Sequence, residues 1–132
     1  MQKARLLLLD VIDRTGFKEI ECEDLQDYYN ALKCDCFDIA YRRIGPEDRY
    51  YDIFVDDCGL FADDPIVSAL DDHFKPALVG NLIFAKHDVQ GNTVGLTDED
   101  IAYIKRSSMA IVNFDEETEK INPWTVVANV RY

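Results

Sequence analysis

The chain has 132 residues, with 26 acidic against 14 basic side chains and a formal net charge of −12 with both histidines neutral. That balance excludes a basic reader of nucleic acid, and 48% apolar with 11% aromatic residues excludes a disordered chain. A chain of this length buries about two thirds of its unfolded surface, so one domain over residues 1–132 is expected.

In chain order, Lys3 to Val11 is apolar and continuous enough for a central strand. Its longest apolar run, Leu6 to Leu9, falls far short of the ~20 residues that span a bilayer or the roughly 7 to 15 of a signal-peptide core. A cytoplasmic protein with no membrane contact is the expectation. Asp13-Arg14-Thr15-Gly16 is a polar turn, and Phe17 to Cys22 completes an opening hairpin. Behind Glu23 and Asp24, the residues Leu25, Tyr28, Tyr29 and Leu32 fall on one face of a helix, which Lys33 closes as the helix dipole favours.

Cys36 to Arg43 alternates, with Phe37, Ile39 and Tyr41 on one side, and Tyr51, Ile53 and Val55 resume the alternation after Gly45-Pro46-Glu47-Asp48. The pair predicts an antiparallel hairpin ending in the turn Asp56-Asp57-Cys58-Gly59. Leu60 to Lys75 fits a short helix opened by Pro65, with Ile66, Val67 and Leu70 as its apolar side, or an irregular loop. Pro76 to Ala85 reads as one more strand, buried on both faces, followed by a turn at Gln90-Gly91-Asn92 and a short extended piece, Thr93 to Gly95. Thr97-Asp98-Glu99-Asp100 is a capping box that opens a helix to about Ser108 with Ile101 and Ile104 inward. Ile111 to Phe114 and Thr125 to Val127 predict two last strands around a charged loop.

The sum is an α+β fold, a mostly antiparallel sheet of about five to seven strands covered by two main helices in a single two-layer domain. Apolar first strand, Glu23-Asp24-Leu25, Ile53-Phe54-Val55-Asp56-Asp57-Cys58-Gly59-Leu60, Val79-Gly80-Asn81-Leu82-Ile83 and Leu96-Thr97-Asp98-Glu99-Asp100-Ile101 occur in an order and spacing that resembles the domain of unknown function family DUF3846. The resemblance covers about residues 3–108. It implies an origin on a bacteriophage or conjugative element and carries no activity with it. Between Gly59 and Val79 the chain lacks the Pro-Pro-Asn type of loop associated with that family, and residues 109–132 read as a β-rich C-terminal extension packed on the core.

For chemistry, His73 beside Asp71 and Asp72, and His87 beside Asp88, share residue types with metal-dependent phosphohydrolases, but neighbours in a turn do not fix the convergence a metal needs. Cys34-Asp35-Cys36 has the wrong spacing for zinc, so Cys22, Cys34, Cys36 and Cys58 read as free thiols. Phosphate-loop, nucleophile-elbow and dinucleotide fingerprints are absent from the sequence. Cys58 as a nucleophile is opposed by Asp56 and Asp57 beside it. No catalytic residue, cofactor or metal ligand is therefore assigned.

A non-enzymatic interaction or regulatory protein is the leading reading. Its expected surface is the acids Asp56, Asp57, Asp63, Asp64, Asp71 and Asp72, and its expected partner a basic host or element protein. One form of this is an acidic mimic of DNA acting against host restriction or defence. The alternative is a small-ligand-binding or metal-dependent hydrolase domain using the loop between Gly59 and Pro76. The β-prone tail with Trp124, Val126, Val127, Val130 and Tyr132 adds a strand to its own sheet or makes a homodimer.

Overall fold

The computed structural model describes residues 3–57 and 65–132. The elements are β1 (Ala4–Asp10), β2 (Gly16–Cys22), α1 (Leu25–Leu32), β3 (Phe37–Arg43), β4 (Tyr50–Asp56), β5 (Val67–Leu70), β6 (Pro76–Val79), β7 (Leu82–His87), β8 (Thr93–Val94), α2 (Asp98–Arg106), β9 (Ser108–Asp115) and β10 (Lys120–Val127). Mostly antiparallel strands with two helices are thus what the sequence predicts. The strand number and layering differ. Among the described residues ten strands form two sheets, one of order β2-β1-β7-β4-β3 with β8 beside β7, the other of order β6-β5-β10-β9.

The larger sheet is buried on both sides, which a two-layer domain does not allow. In β1, Leu7 and Leu9 join one apolar cluster with Ile53, Leu82 and Phe84, while Leu6 and Leu8 join another with Phe54, Ile83 and Ala85. Successive strand residues point to opposite faces, so near-continuous apolar runs are what such a central position demands. The two helices divide between these faces. Tyr28 and Leu32 of α1 lie in the second cluster, and Ile101, Tyr103 and Ile104 of α2 lie in the first with Ala69 of β5 and Val127 of β10.

Both helices open with a reciprocal cap. The Asp100 amide donates to the Thr97 hydroxyl at 3.1 Å and the Thr97 amide to the Asp100 carboxylate at 3.0 Å. At α1 the same arrangement joins Asp24 and Asp27. The second helix stops at Arg106, two residues short of the expected end, because Ser108 already begins β9.

Residues 65–75 hold a strand, not a helix. Val67–Leu70 pairs antiparallel with β6, through register shifts, and parallel with β10 at Ala69 and Val127. An apolar set of three residues cannot decide between helix and strand when the deciding partner lies almost sixty positions away. The predicted strand from Pro76 to Ala85 is two strands in different sheets. The chain crosses between them at Gly80, whose φ of +77° suits glycine, and at Asn81.

The tail is woven into the core. Val126, Val127, Ala128 and Val130 are buried, the Val130 amide donates to the Leu70 carbonyl, and Arg131 bridges to Arg43 at the end of β3. Among the described residues no helix is long and apolar enough to cross a membrane.

Candidate functional site

An eight-residue helix is about 12 Å long, whereas five strands at roughly 4.8 Å spacing span about 19 Å. Helix α1 therefore leaves part of its sheet face uncovered, toward β3 and β8. The result is an open groove of about 590 Å³. Tyr28, Phe37 and Phe54 form its aromatic floor, with Tyr28 and Phe54 stacked at 4.7 Å and Phe37 edge-on to Phe54 at 5.5 Å. Leu25 and Ile39, 55% and 49% exposed, present apolar surface at its sides. Such a volume, with an aromatic floor, lies within the range of ligand-binding clefts.

The rim is acidic. Glu23 stands at the helix side, and Asp88, Asn92 and Thr93 at the β7–β8 side. The Asp88 carboxylate accepts the Asn92 and Gln90 amides, each at 2.9 Å, and these bonds hold it below the ordinary carboxylate range. Its charge is fixed at neutral pH. Cys22, also on the groove, is pushed up to about 11 by burial and by Asp27 and Asp24, so its thiol is not a nucleophile.

Farther along the same face, the His87 imidazole Nδ1 lies 2.8 Å from a carboxylate oxygen of the buried Asp52. The carboxylate accepts, so Nδ1 is the ring nitrogen that donates in this contact. Tyr41 packs on the imidazole at 5.3 Å and stacks on Tyr50 at 5.2 Å. These contacts hold the imidazole in one orientation. Catalysis would further require a nucleophile or oxyanion donors converging on the ring, and Thr93, the residue opposite His87 in register, is the nearest hydroxyl-bearing neighbour on β8.

Of the residues expected on an acidic interaction surface, Asp56 is half-buried and Asp57 exposed at the end of β4, where with Leu78 and Val79 they border a cavity of about 170 Å³. Asp71 and Asp72 lie at the opposite end of the β5–β6 hairpin. Asp71 accepts the His73 and Lys75 amides and so closes that turn. Asp63 and Asp64, with Cys58, lie outside the described residues. His73 lies in the turn between β5 and β6 while His87 ends β7 in the other sheet, and among the described residues no group of three or more His, Cys, Asp or Glu side chains is placed to hold a metal.

Sequence reasoning missed Asp52. The signal was an acid inside an alternating apolar strand, whose side chain must face opposite Tyr51 and Ile53 and toward whatever covers the other side.

Neither a curated protein nor a solved structure matches the chain. The family model described as "Domain of unknown function (DUF3846)" matches residues 5–108, from β1 through the first residue of β9, and the chain belongs to that family.

Proposed function

We propose that this protein is a non-enzymatic interaction module that seats a short basic and apolar segment of a partner protein in the groove beside α1. The carrying observation is an aromatic-floored groove with Glu23 and Asp88 on its rim, in a chain of net charge −12. Apolar side chains of the segment meet Phe37, Ile39 and Leu25, and its cations meet the two rim carboxylates. The mobile-element origin implied by the family resemblance makes a host or element protein in the bacterial cytoplasm the partner. The acids at Asp56, Asp57, Asp71 and Asp72 then contribute long-range attraction rather than contacts.

Panning a random peptide library tests this directly. The expected ligands combine Lys or Arg with Leu, Phe or Trp, weaken steeply with salt, shift the amide resonances of Ile39 and Val94, and lose binding to Ile39→Glu. Enrichment of acidic peptides, or shifts confined to other surfaces, would sink the reading.

A second reading rests on the edge strand β9. Val112, Phe114 and Ile121 are 60%, 56% and 63% exposed, and β9 holds one charged residue, Asp115, in eight. Unprotected edges of this kind pair with further strands. Two copies that repel elsewhere meet there with least charge, giving an antiparallel homodimer. Sedimentation of the whole chain against Val112→Lys distinguishes the cases: a dimer converted to monomer supports it, and a monomer in both disproves it.

A further inference from the structure

The Arg43 and Arg131 side chains present an arrangement that the groove does not use. The two residues face each other across an antiparallel bridge, each amide donating to the other's carbonyl at 2.8 and 2.9 Å. Side chains of such a pair rise from Cα atoms about 5.5 Å apart on the same side. Like charges placed directly opposite one another oppose pairing, yet here two arginines are paired in register in a chain that has 26 acids to choose from.

Their compensation is slight. Arg131 donates to the Gly45 carbonyl at 3.3 Å, and Arg43 meets the largely exposed Asp48 at 3.9 Å. Such an exposed, long contact contributes little. The Nε atoms of both arginines are buried without a hydrogen-bond partner. Arg49, by contrast, has Glu99 and Asp100 within 3.4 Å, and Arg5 has Glu19 and Asp98. Buried donors without acceptors are rare in folded proteins, so the two Nε groups mark the pair as costly to hold, while the Arg43 side chain stays 27% exposed.

The frame around the pair is pinned. The Tyr103 hydroxyl donates to the Ile44 carbonyl at 2.7 Å and accepts the Glu47 amide at 2.9 Å. The Gly45 amide donates to the Asn129 carbonyl at 3.2 Å. A Cβ at Gly45 would stand 2.5 Å from the Ser107 hydroxyl, so this close approach needs glycine. The backbone that carries the two arginines is thus held in place, and guanidinium groups match the oxygens of a phosphate.

Tyr50 stands opposite Arg43 in register, and Tyr41 shares Arg43's face of β3 two residues away. The two rings stack on each other, with Tyr41 50% and Tyr50 37% exposed. They offer a flat surface next to the cations.

We propose that Arg43 and Arg131 form a binding site for the phosphate group of a small phosphomonoester whose aromatic ring lies against Tyr41 and Tyr50. A mononucleotide has this chemistry. A nucleic-acid strand does not suit the site, because one pair of arginines replaces few counterions and the −12 field repels a polyanion.

The test is titration of the whole protein, followed through its arginine Nε–H resonances, with inorganic phosphate, adenosine 5′-monophosphate, adenosine and a single-stranded oligonucleotide. The nucleotide should saturate and shift both Arg43 and Arg131, phosphate should do so more weakly, and adenosine should not shift them. Arg43→Gln and Arg131→Gln, which leave the backbone bridge intact, should each weaken nucleotide binding by at least about tenfold. Tyr50→Leu should weaken the nucleotide but leave phosphate unchanged. Absence of saturable shifts at the two arginines in the wild-type protein, unchanged affinity in both glutamine variants, or binding of the oligonucleotide alone would each overturn the proposal.

Discussion

The carboxamide oxygen of Asn81 accepts the amide of Val11 at 2.9 Å, across 70 positions of sequence. The same oxygen accepts the Ile12 amide at 3.1 Å, and the Asn81 nitrogen donates to the Ala31 carbonyl at 3.1 Å. One fully buried side chain thus ties the end of β1, the last turn of α1 and the start of β7 at the point where the chain changes sheets. Asn81→Ala leaves these backbone groups without partners at about 1–3 kcal/mol each for those that water cannot reach. A loss of about 3 kcal/mol in urea denaturation, with an unchanged slope, is expected. A loss below about 0.5 kcal/mol, the scale of a surface substitution, would show that the three bonds do not act as a pin.

Asp100 sets the acid limit of stability. Burial disfavours its charge, but the Thr97 amide and hydroxyl, the Tyr51 hydroxyl at 3.0 Å and the nearby Lys86 outweigh that cost and hold the carboxyl below its ordinary value. A carboxyl depressed in the folded state contributes stability that is fully present above the unfolded value of about 3.9 and is lost as pH falls through the folded value. The melting temperature should therefore decline as pH drops below about 4, and Asp100→Asn should flatten that part of the profile. The variant should also lose about 3 kcal/mol at neutral pH, because Arg49 and Lys86 keep their charge beside a neutral amide. An unchanged acid slope in Asp100→Asn rules this account out.

Much of this frame was legible in the sequence for identifiable reasons. Leu6 to Leu9 and Leu82 to Ala85 are apolar at every position, and only a strand covered on both sides uses such runs. Thr97 and Asp100 announce the start of α2 because a cap is a local interaction, complete within four residues. Residues 67–70 were not legible, since Ala69 takes its pairing from Val127. Nor was the division at Gly80, because Ala77 to Val79 and Leu82 to Ala85 are both apolar and only the tertiary pairing shows that different sheets receive them. The groove escaped for the same reason. It exists because α1 is short relative to the sheet, and Asp52 meets His87 only once β4 and β7 lie side by side.

The Asp52–His87 contact fixes the imidazole tautomer. Nitrogen NMR of the neutral ring should find the proton on Nδ1, which the carboxylate accepts at 2.8 Å. His87→Ala removes a hydrogen bond that, among the described residues, is the one drawn to the buried Asp52 carboxylate, with an expected cost of about 1–3 kcal/mol at neutral pH. Asp52→Asn together with His87→Ala should recover part of that loss. A proton found on Nε2 in the wild-type ring would falsify the arrangement.

Thiol chemistry offers a check on the groove's interior. In a Cys58→Ser background, Cys36 is exposed and Cys22 buried, with the Cys22 thiol pushed up to about 11. An aromatic disulfide reagent near pH 7.5 should modify Cys36 first and Cys22 far more slowly, with the Cys22 rate climbing as pH rises because the thiolate is the reactive form. A ligand seated in the groove should slow Cys22 further and leave Cys36 alone. Equal rates at the two positions in the native protein would mean that the floor beside α1 is open to solvent.

The family match ends at Ser108, yet the residues beyond it complete the core. Val126, Val127 and Val130 are buried at 0%, 0% and 3% exposure, β10 supplies the parallel partner of β5, and the Ala128 amide donates to the Ser107 carbonyl at 2.8 Å. At about 1.5–3 kcal/mol for each buried side chain, the three valines together stabilise the fold by roughly 5–9 kcal/mol. That is comparable to the whole stability of a domain this size, about 5–15 kcal/mol. A chain ending at Ser108 is therefore expected to lose its cooperative thermal transition and its near-ultraviolet dichroism while keeping strand signal in the far ultraviolet. Val127→Ala in the full chain, which removes two methyl groups and leaves the strand in place, should cost about 2–3 kcal/mol. A shortened chain that melts cooperatively at the wild-type temperature would place the core in residues 5–108 alone and make β9 and β10 an appendage.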